Sequence, residues 1–148
     1  MYSILHRVGV HAPPRDVYDA LASRDRLAAW WTDDTRGVPQ PGGIIHFRFG
    51  DRGFFDMKVL EQVPEKRVVW EVTDGPAEWI GTRVAWALSP EGTGTTIRFR
   101  HEGWREPVDF MAHCSTKWAT FLMSLKSLVE TGRGAPFPND MLISVDCD

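Results

Sequence analysis

The chain has 148 residues, 43% of them hydrophobic and 25% charged, with a formal net charge of −3 and a pI near 5.9. That length suits one domain able to bury a sizeable core. The acidic balance and the scattering of Arg7, Arg24, Arg48, Arg67 and Arg98 speak against a nucleic-acid or anionic-membrane surface, and no apolar run approaches the ~20 residues of a membrane span.

Residues 3–10 alternate Ile4, His6, Val8 and Val10 against Leu5, Arg7 and Gly9, the period of a half-buried strand. Pro13-Pro14 ends it. Pro14 stands where a first-turn proline is tolerated, and Val17, Tyr18 and Leu21 follow at helical spacing. A second short helix is predicted over 24–31, with Leu27, Trp30 and Trp31 on its buried side. Residues 32–43 are rich in Asp, Gly and Pro, lack periodicity and read as a loop. Strand signals follow at 44–49, 54–62, 67–73, 80–88 and 95–101. They are joined by turn sequences such as Gly50-Asp51-Arg52-Gly53 and Ser89-Pro90-Glu91-Gly92. Connections this short imply antiparallel neighbours.

Each strand has one apolar face, as in Ile45, Phe47, Phe49 and again in Val84, Trp86, Leu88. A sheet solvated on one side needs a cover on the other. A last helix over 109–131 supplies it, with Phe110, Cys114, Trp118, Phe121, Leu122, Leu125, Leu128 and Val129 as a broad stripe. Its length is roughly 35 Å, and Gly132 fits its stop. Residues 1–132 read as a single domain. Residues 133–148, with Pro136 and Pro138, read as a tail that packs on the surface or frays.

The order β-α-α-β-β-β-β-β-α carries a series of motifs: Ala12-Pro13, Val17-Tyr18-Asp19-Ala20-Leu21, Trp30-Trp31, Pro41-Gly42-Gly43, Val84 and Gly94-Thr95-Thr96. His101-Glu102-Gly103-Trp104 and Trp118-x-x-Phe121-Leu122-x-x-Leu125-x-x-Leu128-Val129-Glu130-x-Gly132 complete it. Together they resemble the helix-grip fold of the START-like (SRPBCC) superfamily, in the branch similar to the activator of heat-shock-protein-90 ATPase. The resemblance spans almost the whole chain. It implies an α+β fold in which a curved antiparallel sheet of about six strands wraps a long C-terminal helix, with two short helices after the first strand. It also implies a hydrophobic cavity between sheet and helix. Members of the superfamily bind lipids, sterols, polyketides or aromatic compounds, and some are cyclases or hydrolases. The co-chaperone that names the branch carries this domain behind a separate chaperone-binding domain, for which this chain has no room. A chaperone contact is therefore left without support.

Aromatic side chains offer large apolar contact with few rotamers. Trp30, Trp31, Phe47, Phe49, Phe55, Trp70, Trp86, Phe99, Trp118 and Phe121, with Leu122 and His101, are the candidate cavity lining. An aromatic stripe is more often plain core, yet seven tryptophans in 148 residues exceed what such a core requires. Trp30, Trp31 and Trp118 stand out, because helix ends and the concave face meet there. His101 continues the inward series of Ile97 and Phe99. It is either a cavity histidine that orients a ligand hydroxyl or acts as a base, or a structural histidine near the Gly103 turn. The structural reading is the stronger, and no catalytic residue is assigned. Asp33, Asp34, Asp56 and Glu78 are the available acids, with Asp33-Asp34 in a solvated loop beside the cavity mouth.

No histidine pair has metal-ligand spacing, and no nucleophile elbow or phosphate loop is present; neither metal nor cofactor is expected. The start lacks a signal peptide, and Cys114 and Cys147 cannot form a disulfide framework, so a reduced, cytoplasmic protein is expected. The function expected is binding of a hydrophobic or aromatic small molecule in an internal cavity, by a monomer or homodimer. Two alternatives stay open. One is a cyclase or hydrolase built on His101 and a nearby acid; the other is a protein-interaction module using a strand edge and Trp79 or Trp104.

Overall fold

A computed structural model describes residues 1–145, so Cys147 lies outside the described residues. Strand β1 (Tyr2–Val10) leads into α1 (Pro14–Ala22), which opens with proline in its first turn and buries Val17, Ala20 and Leu21. Asp16 in that turn faces the positive end of the helix dipole. Helix α2 spans only Arg24–Ala28. It stops short of Trp31 because the chain tightens: the N–H groups of Ala29 and Trp30 donate to the carbonyls of Arg26 and Leu27, three residues back. The tightened turn stacks the Trp30 and Trp31 rings at 5.9 Å and 9°.

The loop expected over 32–43 contains a strand. Residues Asp34–Gly37 form β2, which pairs with β3 (Ile44–Arg48) in the register Thr35 to Phe47. The sheet accordingly has seven strands rather than about six. Four residues with only Thr35 buried show no apolar alternation, so β2 has no sequence signature; backbone pairing and the Thr35 Oγ1 bond to the Thr32 carbonyl (2.7 Å) hold it. Strands β4 (Phe54–Val63), β5 (Arg67–Asp74), β6 (Arg83–Glu91) and β7 (Gly94–Trp104) follow. The spatial order is β1-β7-β6-β5-β4-β3-β2, antiparallel throughout.

Strand β6 starts three residues later than its apolar run, Ile80 onward, implies. Between β5 and β6 the chain turns at Pro76, where Trp79 N–H donates to the Pro76 carbonyl at 2.9 Å. Gly81 then takes a positive φ of 87° that L side chains resist. This turn leaves Ile80 exposed and drives Trp79 inward.

Helix α3 (Asp109–Thr131) runs for 23 residues across the concave face. Leu122, Leu125 and Leu128 lie beneath it, and the Trp118 ring sits 4.6 Å from Phe99 on β7. Full burial of each such side chain is worth ~1.5–3 kcal/mol, so helix and sheet hold one another. Gly132 ends the helix in the left-handed region, its N–H on the Leu128 carbonyl at 2.8 Å. The chain then returns along the helix. Ala135 N–H donates to Ser124 Oγ (2.8 Å), Phe137 N–H to the Trp31 carbonyl (2.9 Å), and Asp33 N–H to the Phe137 carbonyl (3.1 Å).

The interior is a continuous aromatic packing. Trp30 anchors its Nε1–H on the Ala20 carbonyl at 2.8 Å. Trp70, Trp86 and Trp104 have no acceptor for theirs among the described residues; their rings instead meet neighbours edge to face, as Trp70 and Trp86 do at 5.7 Å and 67°.

Candidate functional site

The space enclosed by the sheet and α3 is filled along most of its length. Trp30, Phe47, Trp70, Trp86, Phe99, His101 and Leu122 all lie in that filled core. Open volume remains at one end, as a pocket of about 130 Å³ where β3, the β4 start and the first half of α3 converge. Five of the twelve residues picked from sequence line it: Trp31, Phe49, Phe55, Trp118 and Phe121.

Each wall has a local origin. The tightened turn after α2 delivers Trp31. Phe49 follows β3, and the short 3₁₀ turn Gly50–Arg52 places Arg52 at the rim before Phe54 and Phe55 open β4. Along α3, Phe110, His113, Cys114, Lys117, Trp118 and Phe121 recur at three- and four-residue spacing, so one helix face borders the pocket. The turn at Pro76 contributes Trp79, whose ring stacks on Phe55 at 4.0 Å and 9° and lies 5.9 Å from Trp118. Trp79 and Trp104 are 3% and 1% exposed. They are unavailable as the outer contacts that a protein-interaction reading would need.

One end of the pocket is charged. The returning tail places Asp140 there, with its carboxylate 2% exposed and Oδ2 2.6 Å from Lys117 Nζ. Arg52 adds a second cation at 3.8 Å from the same oxygen. Lys117 Nζ also donates to the Met141 carbonyl at 2.6 Å. Sequence reasoning missed Arg52, Phe54, Trp79, Phe110, Lys117 and Asp140. The helical spacing of Phe110, Cys114 and Lys117 with Trp118 and Phe121 was a usable signal. For Asp140 there was none, because its place depends on the tail's path.

His101 is wholly buried behind the pocket, and both ring nitrogens are occupied. Trp118 Nε1–H donates to Nδ1 at 3.2 Å, which leaves the proton on Nε2 to donate to Thr82 Oγ1 at 2.8 Å. The Thr82 hydroxyl in turn donates to the Trp79 carbonyl at 2.5 Å. Burial lowers the His101 pKa to about 3, so the ring is neutral. It ties α3 to β7 and to the Pro76 turn, and neither nitrogen faces a carboxylate. Burial likewise pushes the Cys114 thiol up to about 12, opposed by the bond from Trp79 Nε1–H, so it is an unreactive wall.

The other acids lie elsewhere. Asp34 is paired with Arg36 inside β2, Asp56 holds His46 and Arg48 on the outer sheet face, and Glu78 is exposed. Among the described residues no three His, Cys, Asp or Glu side chains gather as a metal site. Among the described residues no helix is long and apolar enough to cross a membrane.

Comparison with known proteins fits this geometry. The family described as activator of Hsp90 ATPase homolog 1-like protein matches residues 11–130. The chain belongs to that family. Its architecture is the helix grip of the START-like superfamily. The solution structure of the Aha1 dimer from Colwellia psychrerythraea is 43% identical with a TM-score of 0.84, covering 90% of this chain and 100% of that one. CalU16 from Micromonospora echinospora has a TM-score of 0.78 at 22% identity, covering 96% of this chain and 74% of that one. DynU16, a protein of the dynemicin biosynthetic locus, has 0.76 at 24%, covering 89% of this chain and 48% of that one. The last two likenesses are of fold alone. None of the curated proteins searched matches this family member.

Proposed function

We propose that this family member binds a small hydrophobic or aromatic molecule in the pocket at the end of its helix grip. The observation that carries the reading is the pocket itself: about 130 Å³, walled by Trp31, Phe49, Phe55, Trp79, Trp118 and Phe121. An apolar cavity of about 150 Å³ accepts one benzene ring, so the volume suits a single-ring ligand. Phe55 and Trp79, stacked on one another at 4.0 Å, border that space as aromatic walls. Sterols and long acyl chains exceed the space unless the walls move.

The test is titration with benzamide and phenol, read by tryptophan fluorescence and by melting temperature. A ligand that binds only the folded state stabilises by about 2.7 kcal/mol at a hundredfold excess over Kd. Phe110→Ala removes a rim ring that is only partly buried and should weaken the ligand-induced shift while the fold persists. The reading fails if a broad set of one-ring compounds gives no saturable quenching. The dimeric state of the 43%-identical Colwellia protein supports a homodimer as the assembly here, which light scattering would decide.

A further inference from the structure

We infer that the ligand carries a carboxylate, and that the tail occupies that carboxylate's place until the ligand arrives. This rests on the reading that the pocket binds a small aromatic molecule. Among the described residues Asp140 is the one acidic side chain lining the pocket, and it is supplied by the returning tail rather than by the sheet or helix. Its carboxylate is buried to 2% exposure. Apart from the ion pairs with Lys117 and Arg52, neither oxygen has a hydrogen-bond donor among the described residues. A buried carboxylate that has two cations but no further donor keeps part of its desolvation cost. The two cations around it, Lys117 on α3 and Arg52 on the turn before β4, belong to the pocket wall. Both cations rise from the wall, while the tail touches them through Phe137, under Arg52 at 5.1 Å, and the Met141 carbonyl on Lys117.

The tail is built to release this contact without unravelling. Backbone bonds from Ala135 and Phe137 fix it to Ser124, Trp31 and Asp33, and the Phe137 ring packs on Phe49 at 5.5 Å. The Lys117 contacts to Asp140 and the Met141 carbonyl lie beyond that anchor. Asp140 can therefore swing away while Phe137 stays seated. A one-ring carboxylate places its ring among the aromatic walls and its anion on Lys117 and Arg52, taking over the ion pair as Asp140 leaves. The occupant is thus an aromatic carboxylic acid of about benzoate size, and the tail is its built-in competitor.

Benzoate and its neutral isostere benzamide, titrated into the full chain by fluorescence, separate the possibilities. Asp140→Asn should tighten benzoate about tenfold while moving benzamide by less than about twofold, the loss of one charged competitor. Lys117→Met, which tests the same pair from the helix, should abolish benzoate's advantage and spare benzamide. In the wild-type protein benzoate, and not benzamide, should shift the amide resonances of Asn139 to Met141. If D140N moves both ligands equally or neither, or K117M leaves benzoate unchanged, the inference is overturned while ring binding stands. If neither compound binds any of the three proteins, the pocket reading fails and takes the inference with it.

Discussion

Protonating His101 should cost the protein its stability in mild acid. The folded ring titrates near 3 because it is buried, whereas in the unfolded chain a histidine titrates near 6.5. Between those values the unfolded state holds a proton that the folded state lacks, so stability falls as pH falls, by ~1.4 kcal/mol per pH unit. The contribution is complete above about pH 6.5 and is lost progressively toward 3. From pH 7.5 to 4.5 the loss amounts to about 2.7 kcal/mol, or roughly 5–10 °C in melting temperature for a domain of this size. Acid acts on the rest of the molecule as well, so the difference between two proteins is the informative quantity. His101→Gln keeps one donor and one acceptor facing Thr82 and Trp118 but cannot titrate. It should start less stable and then lose about 2.7 kcal/mol less than the wild type over that range, by urea unfolding at each pH. The imidazole proton resonances of His101 should stay unchanged down to pH 4.5. Parallel losses in the two proteins, or a midpoint near 6, would refute the buried neutral ring.

Leu125→Asp should abolish cooperative folding, because Leu125 is fully buried and an unpaired carboxylate there costs several kcal/mol; an unchanged melting curve would show that α3 does not cover the sheet. Ser124→Ala removes an acceptor for Ala135 N–H and a donor to the Trp30 carbonyl. It should cost about 1–3 kcal/mol and accelerate hydrogen exchange at Phe137, and unaltered exchange would mean the tail is held by other contacts. Trp79→Ala should cost about 3–5 kcal/mol as a large-to-small core change while enlarging the pocket. Two-ring aromatics should then quench fluorescence where the wild type excludes them, and continued exclusion would show that Trp79 does not set the size limit.

The fold was legible where periodicity survives packing. The eight apolar positions of α3 and the inward series Val84, Trp86, Leu88 follow from helix and strand geometry alone. Strand β2 was not legible, because backbone pairing with β3 alone makes an edge strand of Asp34–Gly37 without apolar alternation. Inward placement of His101 could be counted off along β7. Its bonds could not, since Thr82 and Trp118 reach it from 19 and 17 residues away. The core aromatics and the pocket aromatics look alike in sequence; which ring faces open volume depends on how Trp30 and Trp31 are rotated by one tight turn. Asp140 needed the tail's whole return path.

The seven indoles form one unbroken series. Ring contacts of 5.9, 6.2, 5.7, 6.1, 5.9 and 6.4 Å link Trp30 to Trp31, Trp31 to Trp70, Trp70 to Trp86, Trp86 to Trp118, Trp118 to Trp79 and Trp79 to Trp104. Chromophores this close exchange excitation before they emit, so the protein fluoresces as a single antenna. A ligand touching Trp31, Trp79 and Trp118 at the pocket end drains light absorbed at Trp70 or Trp86 deep inside. Quenching should therefore exceed the share of indoles in contact, and emission should be depolarised even in a molecule too rigid to reorient its rings. Deleting one tryptophan would cut the antenna rather than subtract a seventh of the signal.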